Sequence, residues 1–82
     1  MLKIVDIYTD HCLPCKLLKK TLEQMTDIEI EYINATDNLD FCTEHQISSV
    51  PTLLFFNNNI QKYKHVGIIS EKGIRQILDI IS

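Results

Sequence analysis

Tryptophan is absent from the 82 residues, and glycine and proline occur only twice each. So little glycine and proline excludes collagen-like and low-complexity chains, which need several times more of both. Cysteine is also scarce: three residues, an odd number, cannot build the disulfide framework by which small secreted domains offset a thin core. A reducing, cytoplasmic setting is expected. No run approaches the roughly 20 apolar residues of a membrane-spanning helix, and no basic, then apolar, then small-residue leader follows Met1. A soluble chain that engages no membrane is expected. Nor is there a cluster of positive charge. The net charge is -3, with lysines scattered among carboxylates, so a nucleic-acid partner is not expected.

What is present is ordinary globular composition, 45% hydrophobic and 23% charged. In so short a chain this supports one core, and hence a single domain over residues 1–82, expected as a monomer. Leu2–Tyr8 is a β-branched and aromatic run that reads as a buried strand. Beyond the loop Thr9–His11, Leu13, Leu17, Leu18, Leu22 and Met25 recur at helical spacing, with Lys16, Lys19, Lys20 and Glu23 on the outer face. Pro14 falls in the first turn, where a missing N–H costs little. Ile28–Ile33 alternates as a second strand, parallel to the first through a right-handed crossover. Asn38–Gln46 is a further helix candidate, ending in a loop at Val50-Pro51. Thr52–Phe56 and Ile60–Val66 flank Asn57-Asn58-Asn59, residues that tolerate positive φ, and predict an antiparallel hairpin. Ser70 can cap a last helix with Ile74, Ile77, Leu78 and Ile81 on its apolar face. The element order is βαβαββα, an α/β fold with a mixed sheet.

Cys12-Leu13-Pro14-Cys15 follows a predicted strand and opens a predicted helix, the context in which C-x-x-C reads as a redox pair. At this separation the two sulfurs can reach disulfide geometry. Cys12 faces the free N–H groups and positive end of the helix, which favour thiolate, and is the expected nucleophile. Cys15, one turn inside, is the expected resolving thiol. Two thiolates at this spacing also open many zinc ribbons, and Cys42 with His45 is the one further pair on offer. Its place after the second strand argues against a shared site, so no metal is expected. Cys42 reads most simply as a small core residue, with regulatory oxidation as the alternative.

The segments Val5-Asp6-Ile7-Tyr8-Thr9-Asp10-His11-Cys12-Leu13-Pro14-Cys15-Lys16, Val50-Pro51-Thr52-Leu53-Leu54-Phe55-Phe56 and Val66-Gly67 resemble the thioredoxin family over almost the whole chain. The resemblance implies a pared-down thioredoxin-like fold with a four-stranded mixed sheet flanked by helices, without the family's amino-terminal strand and helix. It implies a thiol-disulfide oxidoreductase, active in electron transport and cell redox homeostasis. Such an enzyme reduces protein disulfides, needs no bound cofactor and is itself reduced by a thioredoxin-reductase-like partner.

The resemblance further implies that Pro51 is a cis-proline facing the disulfide. X-Pro bonds are cis only about 5–6% of the time, so the residue alone carries no such expectation. Val50 would pair through its backbone with an extended substrate, and Gly67 would flank the substrate groove. Asp6 would be a buried carboxylate behind Cys15, its pKa raised by burial, exchanging a proton with the thiol; the alternative is a strand-edge aspartate in water. His11 and Leu13 depart from the family's usual tryptophan and glycine on either side of the first cysteine. With Pro14 they would form the surface a substrate meets, and His11, if protonated, would also favour the Cys12 thiolate. Lys16 matches the family's basic residue after the motif and would assist thiolate formation; an exposed loop histidine and a solvated Lys16 are the plain alternatives. Two rival functions stand beside this one. One is a glutaredoxin-like, glutathione-coupled oxidoreductase, whose Gly-Gly-acidic pattern Val66-Gly67-Ile68-Ile69-Ser70 does not match. The other is a thioredoxin-fold protein-binding module.

Overall fold

A computed structural model describes residues 1–82. Strand β1 (Leu2–Tyr8) leads into helix α1 (Leu13–Glu23) and strand β2 (Glu29–Asn34); a 3-10 turn (Ala35–Asp37) and helix α2 (Leu39–Glu44) follow, then strands β3 (Thr52–Asn57) and β4 (Ile60–Val66) and helix α3 (Glu71–Ile81). The sheet order is β2-β1-β3-β4. β1 runs parallel to β2, as a crossover through α1 requires, and antiparallel to β3. The four-stranded mixed sheet is therefore as expected.

Alternation along β1 divides the core between the two faces of the sheet. Ile4 joins Leu53 and Phe55 under α1 and α3, against Leu18, Leu22, Met25, Ile74, Ile77 and Leu78. Val5 and Ile7 turn the other way and pack with Leu54 and Cys42 of α2. Cys42 is thus a core residue.

Local signals account for most element ends. Asn58 and Asn59 form a two-residue hairpin loop with φ of 53° and 67°, the backbone that asparagine tolerates best after glycine. The Ser70 side chain accepts from the Gly73 N–H at 3.1 Å and caps α3. Three expectations need correction. Leu13 and Leu17 are not core: they are 68% and 46% exposed, because the core side of α1 is filled by Cys15, Leu18 and Leu22. The helix expected over 38–46 covers only Leu39–Glu44, since Gln46 turns into the left-handed region at φ 56° and ends it. Ahead of it lies an unforeseen 3-10 turn, held by Asn34, whose Oδ1 accepts from the Thr36 N–H at 3.0 Å. No helix is long and apolar enough to cross a membrane.

Candidate active site at the disulfide end of the sheet

The strand directions gather three loops at one end of the sheet. β1 and β2 both finish there. Thr52, which opens β3, pairs with Ile7 near the end of β1 and with Val66 at the end of β4. The loop before α1, the loop before β3 and the loop after β4 therefore meet at this end. Side chains distant in sequence converge there without any one loop being long.

Cys12 is the N-cap of α1, with extended backbone (φ -124°, ψ 105°). Its sulfur accepts from the Cys15 N–H at 3.1 Å, and its carbonyl accepts from the Lys16 N–H at 3.1 Å. Pro14 adds no donor to the first turn. Cys12 and Cys15 form a disulfide across a Cα–Cα distance of 5.2 Å. The two sulfurs differ in access: Cys12 is half-buried and Cys15 is buried. An incoming group meets Cys12 first. A thiolate formed there would lie where α1's free N–H groups and dipole favour negative charge.

Behind the pair lies Asp6, only 1% exposed. The strand-edge alternative is thereby excluded: Asp6 sits mid-strand between β2 and β3, on the same sheet face as Ile4 and beside α1. Its Oδ1 has no hydrogen-bond partner. Desolvation pushes its pKa up to about 6, an effect that the ammonium of Lys19 partly opposes. A cavity of about 150 Å³ has Asp6 and Cys15 in its wall, together with Tyr8, Thr9 and Asp10 from the end of β1 and its loop, and Lys16 and Lys19 from α1. Asp6 and Cys15 thus border one space that a few water molecules can fill.

Across the site, the Val50–Pro51 peptide is cis. Pro51 is buried and Val50 half-buried. The Pro51 carbonyl accepts from the Gly67 N–H at 2.8 Å, which ties the β4 end to this loop, and Thr52 Oγ1 donates to the Ser49 carbonyl at 2.7 Å. Gly67 adopts φ +98°, with nothing within 4 Å of where a Cβ would stand. Glycine is needed here for its backbone angle, not for close approach of another part of the chain. His11, Leu13 and Pro14 are exposed. Val66 and Ile68 are each 55% exposed beside Gly67, an apolar border that the sequence reading did not single out. Cys42 and His45 lie apart from this site: Cys42 packs on the opposite face of the sheet from Asp6, and the His45 ring stacks on Phe41 at 4.2 Å between centroids.

A family model described as Thioredoxin matches residues 1–80. The thioredoxin of Buchnera aphidicola is 31% identical over 81 residues, covering 93% of this chain and 75% of that protein. The thioredoxin of Mycoplasma genitalium is 29% identical over 75 residues, covering 87% and 74%. Among solved structures, a mutant thioredoxin from Halobacterium salinarum NRC-1 superposes with a TM-score of 0.90 at 26% identity, over 96% of this chain and 73% of that one.

Proposed function

This chain belongs to the thioredoxin family, and on that premise we propose that it reduces protein disulfides, with Cys12 as nucleophile and Cys15 as resolving thiol. Its activity is that of a thiol-disulfide oxidoreductase. The supporting observation is the asymmetry of the pair: the more accessible sulfur is the helix cap, and the buried one shares a cavity with a carboxyl.

In the reading we favour, the Cys12 thiolate attacks one sulfur of the substrate disulfide. A Cys12–substrate bond forms, the substrate S–S bond breaks, and the first substrate thiolate leaves. Cys15 then gives its proton to Asp6 and attacks Cys12 Sγ. The Cys12–Cys15 bond forms, the second substrate thiolate departs, and each leaving thiolate takes a proton from water. The substrate gains two electrons and the protein loses two. A thioredoxin-reductase-like partner returns them, and no bound cofactor takes part. Val50, Pro51 and Gly67 on one side, with His11, Leu13 and Pro14 on the other, would border the substrate's extended backbone. We place this work in the cytoplasm, carried out by a monomeric single domain.

The test is reduction of insulin disulfides with two electron supplies, a bacterial thioredoxin reductase with NADPH or glutathione with its reductase. Turnover with the first and little with the second is expected. The reverse would make the protein glutathione-coupled, and turnover with neither, alongside an intact fold, would favour a binding module.

A further inference from the structure

We propose that Lys19 is the positioning residue that keeps the Asp6 carboxylate available to Cys15, by placing its ammonium at the cavity the two groups share. The proposal rests on the reading of Asp6 as proton acceptor from Cys15. It adds a residue that nothing in the motif pointed to.

Helix geometry makes the placement. Lys19 is four residues after Cys15, so the two side chains occupy the same face of α1, one turn apart. That face looks onto the sheet where Asp6 and Tyr32 stand side by side in register on β1 and β2. The Lys19 ammonium lies over the Tyr32 ring, 5.4 Å from its centroid, a cation–π contact that restrains an otherwise flexible chain. Lys19 thereby enters the same cavity wall as Asp6 and Cys15. A buried carboxyl with an unpartnered oxygen would otherwise ionise only at higher pH, and while neutral it takes no proton from a thiol. Of the charges around it, the Lys19 ammonium acts directly against that desolvation.

The other titratable groups facing Asp6 can be placed element by element. Tyr8 and Asp10 lie at the end of β1 and beyond it, and Lys16 lies on α1; all three line the cavity. Glu23 is one further turn along α1 and acts on Tyr32. On the β3 side the neighbour is Leu53, with His65 of β4 beyond it in the same cross-strand row. Lys16 is the other cation of the cavity wall, which makes it the informative control.

The experiment follows the Asp6 side-chain carboxyl by carbon NMR through a pH titration of the oxidised protein. It is paired with single-turnover resolution of a Cys12 mixed disulfide over the same pH range. Lys19→Met should move the Asp6 inflection upward by roughly half a unit to one unit. Resolution at pH 6.5 should slow by up to roughly threefold, and the wild-type rate should return at high pH. Lys19→Arg should restore the wild-type inflection. An inflection in Lys19→Met that coincides with the wild type, or one moved as far by Lys16→Met, would overturn the proposal. Asp6→Asn separates the two levels. If it abolishes the pH dependence of resolution while Lys19→Met leaves the carboxyl titration unmoved, only the role of Lys19 fails; if the pH dependence survives Asp6→Asn, both readings fail.

Discussion

Asp6 and Cys15 border one small cavity, although one comes from the middle of the interior strand β1 and the other from the first turn of the following helix. The crossover brings them together, and burial then makes the carboxyl basic enough to take part in thiol chemistry near neutral pH.

That burial has a consequence for stability. The folded-state pKa of Asp6 lies above its unfolded value, so the native state binds the extra proton between about pH 4 and pH 6, and stability falls as pH rises through that window. Above it the cost of holding the charge is about 3 kcal/mol. Asp6→Asn should therefore be more stable than wild type by about that amount at pH 7, and by little at pH 4. Urea unfolding at the two pH values checks this; an equal gain at both would remove the buried charge as its cause.

Gln46 ends α2, and Lys64 holds the chain just beyond it. The Lys64 ammonium donates to the carbonyls of His45 at 3.4 Å and Gln46 at 2.7 Å, the cap residue and the residue after it, at the negative end of the helix. Lys64→Met should cost about 1 kcal/mol. Gln46→Gly, which relieves the positive φ, should gain about 0.5–1 kcal/mol. Denaturation midpoints of both variants check the pair, and opposite signs are expected.

Gly67→Ala should lose about 1–2 kcal/mol although the new methyl group meets empty space, because the backbone angle and not a clash is at fault. Thermal unfolding measures the loss. A neutral result would mean that the loop relaxes to negative φ without disturbing the Gly67–Pro51 hydrogen bond.

Ser70→Ala should cost about 1 kcal/mol by freeing the Gly73 N–H at the start of α3. Faster amide exchange in the first turn of that helix, with the rest of the chain unchanged, is the expected signature.

Much of this was legible in the chain because the signals are local. A C-x-x-C between a strand and a helix, the asparagine turn and the serine cap each act over a few residues, and each appears where expected. The misreadings share a different origin. Leu13 and Leu17 satisfy helical spacing, yet they belong to the side of α1 that borders solvent, which only the placement of the helix on the sheet decides. The chain just beyond α2 is held by Lys64, eighteen residues after Gln46. Lys19 reads as one more solvated lysine until Asp6 and Tyr32 are seen beneath it. Burial of Asp6 was implied by resemblance, and its unpartnered oxygen became visible only in three dimensions.

The most direct test of the central claim is trapping of the mixed disulfide. Reduced Cys15→Ser and reduced Cys12→Ser are each mixed with a disulfide-containing protein, and covalent adducts are mapped by mass spectrometry without reductant. Cys15→Ser should accumulate a substrate adduct on Cys12, while Cys12→Ser should form almost none. Adducts on Cys15 at comparable yield, or none in either variant, would contradict the assignment of Cys12 as nucleophile and Cys15 as resolving thiol.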